Sequence, residues 1–216
     1  MSQELIDKLA QAVIDGEPDD AVMFAKQALE EGIDPLACIT HGLTRGIQEV
    51  GELFGSGEYY LPELIIGADA MKVALDILEP ALTGDQKREV VATVVIGTVE
   101  GDLHEIGKTL VGTMLTANGF RVVDIGVDKP PSEFIEAIVA NDATIVGASA
   151  LLTTTMLQQG NLIESLTEAG LRDKVKVMVG GAPVTQEYAK QIGADGYAED
   201  AISAVDLAFR LADAPA

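Results

Sequence analysis

Cysteine occurs once in the 216 residues, at Cys38, so the chain cannot cross-link itself or build a cysteine-rich zinc framework. That composition suits a reducing cytoplasm, which is the expected location. Basic residues are scarce as well: 14 Lys and Arg stand against 35 Asp and Glu, a formal charge of −21, and both halves of the chain are acidic. Nucleic acid and anionic membrane surfaces require clustered cations, so neither is expected as a partner. The opening stretch, MSQELIDKLAQAVIDGEPDD, is amphipathic and acidic with no basic start and no long apolar run. Neither a secretory signal nor a membrane span is expected from it. Two catalytic signatures are missing: no G-x-G-x-x-G dinucleotide loop occurs, and GASAL at residues 147–151 lacks the last glycine of a G-x-S-x-G nucleophile elbow. Apolar residues are plentiful at 48%, enough for a well-filled core without staples.

The apolar pattern changes period partway along the chain. As far as about residue 80 it recurs at helical spacing in four segments, 2–15, 18–31, 35–54 and 60–79. Pro18 and Pro35 lie where a first helical turn tolerates proline, and Gly16, Gly32 and Gly55 lie where helices end. Beyond a polar linker, TGDQKRE at residues 83–89, short Val- and Ile-rich runs alternate with amphipathic stretches. The runs lie at 90–99, 121–127, 143–149, 174–181 and 195–198; helices are predicted near 105–118, 132–141, 156–169, 185–192 and 200–211. Apolar runs without alternation predict strands buried on both faces, as in a parallel sheet. The expected architecture is α plus α/β: a four-helix bundle cap with its linker over residues 1–88, then a flavodoxin- or Rossmann-like five-stranded parallel sheet over 89–216. The usual strand order for such a sheet, 2-1-3-4-5, places ligands at the carboxyl ends of strands 1 and 3.

Under that order three unusual loops are neighbours: EGDLHEIG at 100–107, SALLTTT at 149–155 and GGAPVT at 180–185. EGDLHEIGKT superficially resembles a phosphate loop, but five residues separate Gly101 from Gly107 where four are required, and Asp102 and Glu105 would repel a phosphate. Asp102 and His104, two apart, suit a carboxylate that holds one imidazole nitrogen and leaves the other free as ligand or base. A histidine near a helix start is otherwise simply capped and satisfied. The hydroxyls of SALLTTT, with nothing basic nearby, suit a neutral hydrogen-bonding ligand, and Gly180-Gly181 removes side chains where backbone and ligand approach closely. A zinc site drawn from Cys38, His41, Asp102 and His104 would need the bundle helix to meet the loop; Cys38 and His41 read as packing or surface residues. Lys108 and Thr109 are expected to be ordinary first-turn helix residues.

D-L-H-E-I-G (102–107), S-A-L-L-T-T-T (149–155), G-G-A-P-V-T and A-D-G-Y-A-E-D-A (194–201) resemble the cobalamin-binding domain shared by methionine synthase and corrinoid methyltransferase proteins. GIQEVGELFGSGEYYLPELIIGADAM at 46–71 resembles the bundle of the same family. With no substrate or reactivation domain of methionine synthase in these residues, the resemblance implies a free-standing corrinoid carrier subunit of a methanol, methylamine, glycine betaine or methoxyaromatic methyltransferase system. Its cofactor would be cobalamin, as methylcobalamin or a related corrinoid. His104 would displace the cofactor's own base and bind cobalt from below, as the one metal ligand; Asp102 and Thr155 would complete its relay, with Asp102 free to take up or release a proton. The loop Gly101, Asp102, Leu103, His104, Glu105, Ile106 and Gly107 would face the corrin. Ser149, Thr153, Gly180 and Gly181 would line a channel for the displaced nucleotide tail, with Leu151 beside it and Tyr197 and Ala201 near its far end. Phe54, Leu61 and Leu64 would cap the methyl-bearing face, where an apolar cover excludes solvent. The partners implied are a substrate-specific methyltransferase, a second methyltransferase acting on tetrahydrofolate or a similar acceptor, and a reductive reactivation protein. A cobalamin-based light or redox sensor uses a similar bundle and sheet but favours a DNA-binding domain or basic surface, which this sequence lacks.

Overall fold

The computed structural model describes residues 2–82 and 90–213, so the predicted linker at 83–89 lies outside the described residues. The chain forms two compact units, one helical and one α/β.

The helical unit begins with α1 (Ser2–Ile14) and α2 (Pro18–Glu30). Gly16 ends the first helix at φ +67, where a Cβ would lie 2.8 Å from Ile66, so only glycine makes this turn without strain. The predicted third helix is composite: α3 (Pro35–Ala37) leads into a π-helical stretch, Cys38–Thr44, and then α4 (Arg45–Ser56). Gly42 and Gly46 sit against α1, where a Cβ on Gly46 would come within 2.6 Å of the Ala10 carbonyl oxygen. The wider π turn accompanies this close approach, and hydrophobic periodicity alone does not distinguish π from α geometry. The helix closes on left-handed Gly57, two residues beyond the glycine expected to end it. α5 (Leu61–Leu78) completes the unit, and the Glu63 side chain accepts from the Tyr60 amide at its start, 3.0 Å away.

In the α/β unit, β1 (Thr93–Thr98), β2 (Arg121–Asp124), β3 (Ile145–Ser149), β4 (Lys176–Gly180) and β5 (Gly196–Tyr197) form one parallel sheet in the expected order 2-1-3-4-5. The helices between and after them are α6 (Ile106–Ala117), α7 (Pro131–Asn141), α8 (Leu157–Glu168), α9 (Gln186–Ile192) and α10 (Ala201–Asp213). Phe134 and Ile138 of α7, Leu162 and Leu166 of α8 and Ala189 of α9 pack on the face that presents Val95, Val146 and Val177. α6 and α10 cover the other: Gly112 of α6 faces Ile96, and a Cβ on Gly196 would strike Leu207 of α10 at 2.5 Å. Each wholly buried branched side chain in such a core contributes about 1.5–3 kcal/mol. Strand β2 is shorter than predicted because the Asp124 carboxylate accepts from the Gly126 amide at 2.8 Å, turning the chain through a residue at φ +90. The register places Thr98, Ser149 and Gly180 side by side at the carboxyl edge, so the loops that follow them leave from one line.

Candidate functional site

The loop after β1 turns at Gly101, φ +80, and buries Asp102 completely. Four hydrogen bonds converge on that carboxylate. Oδ1 faces His104 Nδ1 at 2.7 Å and accepts from the His104 amide at 3.1 Å; Oδ2 accepts from the Thr155 hydroxyl at 2.6 Å and the Leu151 amide at 2.8 Å. Burial by itself raises the carboxyl pKa, but the donors, led by Thr155 and His104, outweigh it and hold the group far below the usual carboxylate range. With four donors around it, the Asp102 carboxylate acts as an acceptor throughout this loop. Facing an anion, Nδ1 of His104 is the donor, and Nε2 on the other side of the ring takes no part in that contact. The His104 side chain is 52% exposed. Its carbonyl accepts from the Thr98 hydroxyl at 2.9 Å, so backbone and ring are both fixed.

Beside His104 a cleft of about 610 Å³ runs between the carboxyl ends of β3 and β4 and the starts of α6 and α10. Of the residues singled out in the sequence, Leu103, His104, Glu105, Ile106 and Gly107 line it on one side, and Ser149, Leu151, Gly180, Gly181 and Ala201 on the other. Thr153 is exposed and is not among the lining residues, whereas Thr155 is buried against Asp102. Tyr197 packs with the core on the far face of the sheet; its neighbours Ala198, Glu199 and Asp200 line the cleft instead. Gly181 is required by the fold itself, since at φ +125 a Cβ would sit 1.8 Å from the Ala150 carbonyl oxygen. Gly107 has open space where its Cβ would be, and that space belongs to the cleft margin. In the helical unit, Phe54 and Leu61 are half-buried and Leu64 is wholly buried.

Three features here escape sequence reasoning. Lys108, expected to be an ordinary first-turn residue, is buried at the cleft wall and paired with Asp124 at the end of β2. Gln159 of α8, wholly buried, donates from Nε2 to the carbonyls of Ala148 (2.9 Å) and Gly180 (3.1 Å), tying β3 to β4, while its Oε1 has no partner. A lone glutamine on an apolar helix face was the only available signal. Leu151 contributes its amide, which no side-chain motif reveals. Cys38 is buried, and burial, then the Asp34 charge, raises its thiol pKa; His41 on the same π turn is exposed. No group of three or more His, Cys, Asp or Glu is placed to hold a metal among the described residues.

Two family models, each described as a B12 binding domain, match residues 5–79 and 92–206. A corrinoid protein of Desulfitobacterium hafniense (strain Y51) is 46% identical over 213 residues, 98% of this chain and 99% of the relative. The chain belongs to the B12-binding corrinoid proteins.

Among other members, the trimethylamine corrinoid protein of Methanosarcina barkeri is 46% identical over 204 residues, 94% of each chain. The crystal structure of the methanol:cobalamin methyltransferase complex from Methanosarcina barkeri contains a chain matched with a TM-score of 0.86 and 34% identity, over 98% of this chain and 81% of that one. As a corrinoid protein the chain binds cobalamin. Its own residues fit that cofactor. At the cleft this loop offers one oriented imidazole, that of His104, which would be the group to hold the cofactor's metal. The adjoining cleft is mostly apolar and free of side chains at Gly107, Gly180 and Gly181, as a bulky cofactor requires.

Proposed function

We propose that the chain is a methyl carrier: it receives a methyl group from a substrate-specific methyltransferase and delivers it to a second methyltransferase that acts on tetrahydrofolate or a similar acceptor. The observation that carries this reading is the saturated Asp102 carboxylate, which aims one histidine beside a cleft large enough for part of the cofactor. Cobalamin supplies a cobalt centre that takes up and releases the methyl group. His104 would hold the cobalt through Nε2, with Asp102 fixing the ring through Nδ1 and Thr155 holding Asp102. The cleft walls at Ser149, Gly180 and Ala201 would take the nucleotide tail. Phe54 and Leu61, half-buried in the helical unit, are the candidates to cover the methyl-bearing face; wholly buried Leu64 serves as core. The domain division at residues 88 and 89 is part of the same proposal, with the helical unit as cap. Among the four donor classes, relatives named for trimethylamine and dimethylamine favour a methylated amine.

Reconstitution with methylcobalamin tests the site. The wild type is expected to show a base-off spectrum with histidine bound, and His104→Ala to lose the histidine-bound component. No retained corrinoid, or an unchanged spectrum in the variant, would remove His104 from the ligand role. Methyl transfer with purified methyltransferases of each donor class then names the partner.

A further inference from the structure

Asp128 lies in the loop between β2 and α7, outside every motif that points to the cofactor, and has an unusual backbone. At φ +54 it is one of two non-glycine residues in the left-handed region among the described residues. Its Oδ1 accepts from the Gly101 amide at 2.7 Å, and its own amide donates to the Asp102 carbonyl at 3.0 Å. The next residue continues the seam: the Lys129 amide donates to the Thr98 carbonyl at 3.0 Å, and Lys129 bridges to Val99 in parallel. Asp128 thus spans the two-residue turn Gly101-Asp102, holding the amide at its start and the carbonyl at its end, where the chain reverses before His104. The Asp102 side chain is held by the loop after β3 and its backbone by Asp128, so the two loops fix different parts of one residue. A non-glycine residue in this conformation is strained and persists where its surroundings hold it. Aspartate and asparagine bear that conformation best, because the short side chain bonds locally.

We propose that Asp128 is a positioning residue that sets the Gly101–Asp102 turn and so aims the His104 ring at the cofactor. Its role toward the corrinoid rests on the reading of His104 as the lower ligand; its role toward the turn does not.

Three variants separate side-chain bonding from backbone strain. Asp128→Asn keeps the acceptor and tolerates the left-handed backbone; Asp128→Gly relieves the backbone but removes the acceptor; Asp128→Ala loses both advantages. In the cofactor-free protein, amide exchange at Gly101 is expected to rise on the order of ten-fold in Asp128→Gly, the effect of losing one hydrogen bond, and to stay at the wild-type rate in Asp128→Asn. With methylcobalamin, the histidine-bound fraction should fall in Asp128→Gly and Asp128→Ala and be restored in Asp128→Asn, while the thermal midpoint of Asp128→Gly stays close to wild type. An unchanged Gly101 exchange rate in Asp128→Gly overturns the assignment, whatever the spectra show. Raised exchange with an unchanged spectrum, where His104→Ala does alter the spectrum, overturns the aiming role. If His104→Ala leaves the spectrum unchanged, the lower-ligand reading falls, and the aiming role with it.

Discussion

Replacing Thr155 by valine keeps the shape of the side chain and removes only its hydroxyl. That hydroxyl donates at 2.6 Å to Oδ2 of Asp102, a carboxylate wholly out of solvent. A hydrogen bond to a charged group contributes about 1.5–3 kcal/mol, and water cannot easily replace the donor here. Thr155→Val should therefore lower stability by about 1.5–3 kcal/mol and raise the Asp102 pKa, since one of its four donors is gone. Thr155→Ser keeps the donor and loses one methyl group, for a cost of about 0.8 kcal/mol. Urea unfolding of the cofactor-free protein, followed by far-UV circular dichroism, measures both. A double-mutant cycle with Asp102→Ala isolates the pair, with an expected coupling of about 1.5–3 kcal/mol. Equal stabilities for the valine and serine variants, or a coupling near zero, would show that the hydroxyl does not support the carboxylate.

Acid should weaken the site in a direction fixed by Asp102. Its folded pKa lies below the unfolded value of about 3.9, so its stabilisation is present above that pH and is lost as pH falls toward the folded value; in acid titrations of stability, Asp102→Asn should flatten this part of the profile. Gly181→Ala should cost more than about 3 kcal/mol in urea unfolding, because φ +125 and the Ala150 carbonyl both forbid a Cβ. Gly107→Ala meets nothing within 4 Å and lies in the first turn of α6, so it should leave stability within about 1 kcal/mol of wild type while weakening corrinoid retention on gel filtration.

What the sequence reveals here follows from where the determining interactions lie along the chain. Uniformly apolar runs mark the sheet as parallel and doubly covered, and the strand order follows from the number of βα units. Asp102 and His104 are legible because they are two residues apart; Thr155 joins them because a known resemblance singles it out, not because spacing does. Gln159, Lys108 and Asp128 act across separations of 11 to 27 residues, through backbone carbonyls and amides or a buried ion pair whose positions depend on the finished fold. Composition carries no trace of such pairings. The π turn at Cys38–Thr44 is hidden for a related reason: apolar spacing records which face is buried, not how many residues make each turn.

One consequence of the saturated carboxylate concerns competition. If His104 is the cobalt ligand, then with Nδ1 turned to Asp102 a proton and a cobalt ion would have only Nε2 to contend for. Occupancy by one would exclude the other at that single atom. The Asp102 carboxylate, its two oxygens already shared among four donors, would stay out of that contest.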